Sequence, residues 1–181
     1  MALGAQVKRL AWLALLTACS PVVDEPLAQN PPVVGAPELE AWLIAGYYLA
    51  WHCERVPHLA SPPSPHDVNR VCANDAAFGA GTGPFPVDAA YVKESYATDL
   101  SVSGYSVQRH TAAGSEAATW FWFRNVPLTD TMNLHDSQGI VADGWAQSGP
   151  ALTTCAACHQ MAGTEGLSGH DFVFNLVLPV P

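Results

Sequence analysis

Apolar and polar residues follow two different periods along the chain. Between residues 38 and 53 the apolar side chains recur every three to four positions, which predicts a helix with one apolar face. Beyond Cys72 the period falls toward two, which predicts β-strands. These strands are separated by Gly, Ser and Asp turns and lie at residues 89–96, 105–111 and 119–126. The pattern therefore predicts an α+β fold built on an antiparallel β-sheet.

The third predicted strand has aromatic residues on both faces. Residues 119–124 read Thr-Trp-Phe-Trp-Phe-Arg, so this strand should be central and covered on both sides. The Pro- and Ser-rich residues 57–65 predict a loop, with His58 and His66 exposed near it. Residues 128–150 show no clear period, and we expect a loop there, followed by a short helix through residues 155–159 near the C-terminus. Residues 171–176 predict a last strand.

The beginning of the chain has the pattern of an export signal. Lys8 and Arg9 precede an apolar run that ends in Leu-Thr-Ala before Cys19, which is typical of a bacterial lipoprotein signal. The run is shorter than the roughly 20 residues that a transmembrane helix needs. We expect a signal peptide at residues 1–18, a flexible tether at 19–37 and one domain at 38–181, with Cys19 carrying lipid. A plain secretory peptide is the alternative.

The net charge limits the partners. The chain has 7 Lys and Arg residues against 16 Asp and Glu, a net charge of -9, and removal of Lys8 and Arg9 would leave -11. Such a surface repels nucleic acid, and we expect no nucleic-acid partner. It could steer basic redox partners toward the protein, or serve solubility alone.

One five-residue motif carries the strongest chemical signal. Cys155-Ala-Ala-Cys158-His159 places two thiols three positions apart, followed at once by an imidazole. This is the pattern of covalent haem attachment, in which both thiols bind the haem and the histidine binds its iron. A thioredoxin-like pair would be expected early in the fold, after a strand. A zinc site would need two further ligands at close spacing, which the sequence lacks. The motif therefore predicts one haem c, covalently attached.

The remaining cysteines divide simply. Cys19 is assigned to lipid and two cysteines to haem, which leaves Cys53 and Cys72. An oxidising compartment should join them in a disulfide, and two buried free thiols are the alternative.

Several segments together resemble the cytochrome P-460 and cytochrome c′-beta family. They are the aromatic strand at residues 120–123, the haem motif, Asp-Phe-Val-Phe at 171–174 followed by Leu178-Pro179, and residues 85–94 ending in Val92-Lys93-Glu94. The resemblance covers roughly residues 38–179. It implies a mono-haem, β-sheet protein with a five-coordinate iron, an open ligand site and a homodimeric state.

The resemblance also assigns roles to single residues. In the P-460 branch, the lysine that matches Lys93 is covalently tied to the haem ring, and hydroxylamine is oxidised. In the c′-beta branch the haem is not cross-linked, and the open site binds gases such as nitric oxide. The alternative is that Lys93 is an ordinary surface residue on an edge strand of the sheet. The family's distal carboxylate has no clear match in residues 105–116, so Arg109 or His110 could line the pocket as hydrogen-bond donors or proton relays, or point outward.

The expected function follows from these residues. We expect a periplasmic, lipid-anchored haem protein that binds, and in one version oxidises, hydroxylamine or nitric oxide and exchanges electrons with a periplasmic redox partner. Lys93, Arg109 and His110 are the candidate catalytic residues. The alternative is a non-catalytic electron-transfer or gas-binding cytochrome, and a zinc-bound structural lipoprotein would require the haem interpretation to be wrong.

Overall fold

The computed structural model describes residues 30–60, 64, 66–81, 83–164 and 169–174. The predicted signal peptide, Cys19 and most of the tether lie outside the described residues. So does the end of the last predicted strand, from residue 175 onward. In its described part the prediction is wrong, because Asp171 and Phe172 have positive φ angles of 47° and 66° and form a tight turn closed by an isolated bridge between His170 and Val173.

A seven-stranded antiparallel sheet forms the scaffold, which confirms the predicted α+β fold. Strands β3 to β7 form a meander in chain order, and β1 and β2 both pair with the outer edge of β3. The strands are β1 (His52–Cys53), β2 (His58–Leu59), β3 (Val68–Ala73), β4 (Ala90–Tyr96), β5 (Val102–His110), β6 (Trp120–Asn125) and β7 (Ile140–Trp145). The three predicted strands correspond to β4, β5 and β6. Strand β7 lies in the segment that was expected to be a loop.

Short helices flank the sheet. Helix α1 (Ala36–Ile44) has Pro37 and the acidic Glu38 in its first turn, as helix N-termini favour. It is shorter than predicted, because Gly46 takes a left-handed conformation with φ 73° and a 3₁₀ turn, Tyr47–Ala50, follows. In α2 (Asp75–Ala80) the side chain of Asn74 caps the first turn by accepting a hydrogen bond from the Ala77 amide.

Two further helical pieces lie in the second half of the chain. A 3₁₀ turn, Ala117–Thr119, precedes β6. Close to the C-terminus, a π-helical segment, Ala151–Ala156, runs directly into an α-helical turn, Ala157–His159. The short helix expected through the cysteine motif is therefore present, with π-helical geometry in its first part.

The sheet is covered on both faces. Phe121 and Phe123 pack with the apolar residues of α1, including Leu39 and Leu43. Trp120 and Trp122 project to the other face, where they pack with α2 and with the π-helical segment. The prediction that this strand is buried on both sides is therefore confirmed.

The α1 side of the sheet also holds a buried carboxylate. Glu94 is 2 % exposed. Its Oε1 accepts hydrogen bonds from the Tyr48 hydroxyl at 2.6 Å and from Arg70 Nη2 at 2.9 Å. Its Oε2 accepts from Arg70 Nε at 2.6 Å and from the Tyr96 hydroxyl. The charge of Glu94 is thus compensated by one bidentate ion pair and two phenols.

A disulfide joins Cys53 in β1 to Cys72 in β3, as predicted from the cysteine count. The two residues are direct partners in the antiparallel ladder. The bond therefore ties the short edge strand β1, together with the 3₁₀ turn before it, to the body of the sheet. Within the described residues, no helix has the length and apolar character needed to cross a membrane.

Candidate functional site

A pocket opens on the face of the sheet opposite α1. Because side chains alternate along a strand, Lys93, Ser106 and Arg124 lie side by side across β4, β5 and β6. The π-helical segment and the α-helical turn after it cover this row. The cavity between them measures about 70 Å³ and is partly open to solvent. Its mostly apolar lining, with a few polar groups among it, is typical of sites for small molecules and cofactors. The lining residues include His66, Lys93, Ser106, Trp122, Arg124, Cys155, Cys158 and His159.

His159 is oriented by a backbone carbonyl. Its Nδ1 lies 2.8 Å from the Phe172 carbonyl oxygen, so Nδ1 carries the proton that is donated, and Nε2 keeps its lone pair. The Trp122 ring packs edge-on against the imidazole at 5.0 Å between ring centres. Burial lowers the pKa of His159 to about 4, which keeps the ring neutral. A neutral imidazole with one nitrogen held by a carbonyl is the usual arrangement of a metal-binding histidine.

Cys155 and Cys158 are free thiols that line the pocket on the same side as His159. Both are half-buried. Burial raises the pKa of Cys155 to about 11, although Arg124 opposes the shift. A redox-active thiol pair depends on a lowered pKa and a reactive thiolate, so the thioredoxin-like alternative loses support.

Lys93 lies on an inner strand of the sheet. The alternative that placed it on an exposed edge strand is therefore not supported. Strand β4 is paired on both sides, by β3 and β5, and the Lys93 side chain lines the pocket. Burial and the nearby Arg124 charge lower the pKa of Lys93 to about 8. Its amine makes no hydrogen bond to any described residue. Near neutral pH a fraction of this amine is therefore uncharged and nucleophilic.

The structure does not bring Arg109 into the pocket, contrary to expectation. Arg109 alternates to the α1 face, because it directly follows the pocket residue Gln108. There its Nη1 donates to the Pro31 carbonyl at 2.8 Å, and its Nη2 donates to Asp88 at 2.6 Å. The guanidinium is thus committed to contacts on the other side of the sheet.

His110 also lies outside the pocket. It sits at the end of β5, is 2 % exposed and stacks on the Trp120 ring. Its Nδ1 lies 3.1 Å from the Pro86 carbonyl oxygen, and its Nε2 lies 3.1 Å from the Thr119 hydroxyl. Both nitrogens therefore have internal partners, and the expected role in a distal pocket is not supported by this position.

Two pocket residues were not found from the sequence. His66 was expected to be exposed, but it is half-buried and lines the pocket, with its ring centre 6.4 Å from that of His159. Neither ring nitrogen bonds to a described residue, and Nδ1 is fully buried. Burial, assisted by the Lys93 and Arg124 charges, holds the pKa of His66 well below its usual value. Arg124 could have been found, because it shares a strand face with Trp122.

Several buried polar atoms in the pocket lining have no hydrogen-bond partner among the described residues. His66 Nδ1, Ser106 Oγ and Trp122 Nε1 are buried without a hydrogen bond in the described structure. Such groups are costly unless a ligand or water satisfies them. Two cationic side chains, Lys93 and Arg124, lie in the same lining. Together these features suit a ligand with a broad apolar body and anionic groups.

Comparisons with known proteins leave the pocket to be interpreted from its own residues. Among the described residues, no group of three or more His, Cys, Asp or Glu side chains could hold a metal ion. A comparison of the chain with protein-family models finds no match, and a comparison with curated proteins finds none. The resemblance to the cytochrome P-460 family therefore rests on the sequence motifs alone.

Proposed function

We propose that the protein is an exported c-type haem protein with one covalently attached haem. The observation that carries the proposal is the convergence of two free thiols and one neutral, carbonyl-oriented imidazole on a single apolar pocket. Each thiol would add its sulfur and hydrogen across one vinyl group of the haem, a reaction that needs no oxidant. His159 would bind the iron through Nε2.

The remaining lining residues fit a haem. Trp122 supplies a flat apolar wall beside His159, and Arg124 supplies a positive charge for the carboxylates of the haem. The unpaired Ser106 hydroxyl and Trp122 indole N–H are further hydrogen-bonding groups for these carboxylates or for a bound molecule. When bound, the haem supplies an iron that can take up a small ligand and exchange electrons.

The chain's own residues prepare the site for a small nitrogen compound, hydroxylamine or nitric oxide, as the family resemblance implies. The Phe172 carbonyl holds the His159 ring in one tautomer and orientation. Where the sheet and the helical segment bury the lining, electrostatic interactions are stronger than in bulk water. Lys93 presents an amine that is partly uncharged near neutral pH.

Lys93 is proposed as the cross-linking residue of the P-460 branch. A bond from its Nζ to a carbon of the haem ring would release two hydrogens, so its formation needs a two-electron oxidant such as a peroxide. With this bond the protein would be an oxidoreductase of the P-460 type, whose electrons pass to a periplasmic redox partner. Its acidic surface suits a basic partner.

A second function, an electron-transfer or gas-binding cytochrome of the c′-beta type, is favoured by one observation. His66 lines the same pocket as His159, with the two ring centres 6.4 Å apart, so a second imidazole would compete with a small substrate for the proposed iron. In either version the sequence predicts a lipoprotein that is anchored through Cys19 on the periplasmic side and functions as a homodimer, as its resemblance implies.

The test is the mass and absorption spectrum of the full-length chain, expressed with a bacterial haem-attachment system. The wild type should gain the mass of one haem under denaturing conditions. The double variant Cys155→Ser with Cys158→Ser should lose it. Cys53→Ser with Cys72→Ser is the matched control, because it removes two cysteines outside the pocket. A wild type without covalent haem would refute the proposal.

The cross-link is tested in the same preparations by Lys93→Ala. A red-shifted ferrous band that reverts to that of an ordinary c-type haem in this variant would support the P-460 version. Arg55→Ala, which removes an exposed cation, should leave the spectrum unchanged. An ordinary spectrum that does not respond to Lys93→Ala would refute the cross-link and leave the c′-beta version.

A further inference from the structure

Two imidazoles face the same pocket from different parts of the chain. His159 is the last residue of the cysteine motif and lies in the helical turn Ala157–His159, and His66 comes from the segment just before β3. Their ring centres are 6.4 Å apart, and their planes are inclined at 79°. Both line the cavity that also contains Cys155 and Cys158.

The separation of the two rings distinguishes between possible roles for His66. Metal–imidazole bonds measure about 2.0–2.1 Å, so two imidazoles on opposite sides of one metal hold their ring centres roughly 6 Å apart. If His66 only donated a hydrogen bond to a molecule on the iron, the rings would be farther apart by about 3 Å, one hydrogen-bond length. The observed 6.4 Å is close to the first of these separations. Ordinary edge-on packing of two rings covers the same range, so the assignment rests on the surroundings of His66 as well.

The surroundings of His66 leave its ring without an internal partner. Neither nitrogen bonds to a described residue, and the buried Nδ1 is among the unsatisfied polar atoms. Other described histidines are engaged differently. His58 bonds to Glu54 through Nε2 and to the Leu59 carbonyl through Nδ1, and His110 is satisfied at both nitrogens. A half-buried imidazole with no partner, in a ligand pocket, is explained most simply by a bound ligand or metal.

We propose that His66 is the second axial ligand of the haem iron, opposite His159. The inference rests on the proposed haem attachment but not on the substrate or on the Lys93 cross-link. It replaces the expected five-coordinate iron by a six-coordinate one. An external ligand such as nitric oxide would then have to compete with His66, and the site would favour electron transfer over turnover.

The test uses the full-length haem-bearing protein and its ferric electron paramagnetic resonance and absorption spectra. Two imidazole ligands should give a low-spin ferric signal in the wild type. His66→Ala should convert the iron to high spin, and added imidazole should restore the low-spin signal. His66→Gln, which keeps a polar side chain of similar length, should give the same conversion if the alanine variant folds poorly. His58→Ala is the matched control and should stay low-spin.

Each alternative has its own signature. A wild type that carries covalent haem but is high-spin would overturn the ligand assignment and leave the haem proposal intact. A low-spin signal that survives both His66 variants would also overturn it. If the low-spin signal were lost in Lys93→Ala and kept in His66→Ala, the ligand would be the amine. A wild type without the mass of haem would overturn the proposed function itself.

Discussion

Glu94→Gln removes a negative charge from the interior of the α1 side of the sheet. The Glu94 side chain is 3 % exposed and that of its partner Arg70 is 23 % exposed. Glutamine keeps the shape of the side chain, but it replaces a carboxylate oxygen that accepts hydrogen bonds with an amide that donates them. The Arg70 guanidinium would then lie in a largely dehydrated site without its counter-charge.

The expected loss follows from that burial. Removal of one member of a buried ion pair costs about 3–5 kcal/mol, because the other charge stays desolvated and uncompensated. Since Arg70 keeps some access to water, we expect the lower end, a loss of about 3 kcal/mol in the free energy of unfolding. The pair itself need not be strongly stabilising. Glu94→Leu combined with Arg70→Met should therefore recover much of the loss.

A second ion pair provides the control. Arg109 contacts Asp88 at the same 2.6 Å as the Arg70–Glu94 pair, but the Asp88 side chain is 51 % exposed. Asp88→Asn should cost less than about 1 kcal/mol, as is usual for exposed pairs. Asn also tolerates the positive φ of 71° at this position.

The assay is urea unfolding at pH 7, followed by far-UV circular dichroism, on the full-length wild type and the variants. The expected order of stability is wild type, then Asp88→Asn, with Glu94→Gln clearly the least stable. If Glu94→Gln lost no more than Asp88→Asn, burial would not determine the strength of this interaction, and the reasoning would be refuted. The haem spectrum should be the same in both variants, because both substitutions lie away from the pocket.

Two further predictions concern pH and the disulfide. Burial raises the pKa of Glu94, but hydrogen bonds from Arg70 and two tyrosines outweigh it, so the pKa lies below its usual value. The charge of Glu94 therefore stabilises the fold fully above the unfolded carboxyl pKa of about 4.3, and this contribution is lost as the pH falls through the lower folded-state pKa. Urea midpoints of wild type and Glu94→Gln should converge in that acidic range, and a constant gap would contradict the assignment. Cys53→Ala with Cys72→Ala opens a loop with a sequence separation of 19 and should cost about 3 kcal/mol in the same assay; an unchanged midpoint would contradict it.

The sequence predicts the interior of the sheet better than its edge. Trp120 to Phe123 alternate large aromatic side chains toward two cores, and this pattern has few alternatives to a central strand. Strand β7 was missed because its second half contains Asp143 and Gly144, which are poor strand formers. It forms because β6 offers a free edge with which its backbone can pair. Such stabilisation by the tertiary structure leaves no periodic signal in the sequence.

In the pocket, too, residues placed by the local sequence were predicted, whereas residues placed by the tertiary structure were not. Cys155, Cys158 and His159 are local in the chain, so their spacing alone predicted their common position. Arg109 was misplaced because its side of the strand depends on the register of β5, which the sequence does not specify. His66 carries no local signal, since a histidine in a Pro- and Ser-rich segment is ordinarily exposed. It enters the pocket through the path of the backbone into β3.

The adjacency of Lys93 and Glu94 makes strand β4 intolerant of insertions and deletions. These neighbours point to opposite faces, one into the pocket and one into the cluster beneath α1. One residue added or removed before them would exchange the two faces. The carboxylate would then face the cysteine motif, and the ammonium would lie against Arg70. Length changes in the turns at either end of β4 should therefore survive natural variation only when the strand register is preserved.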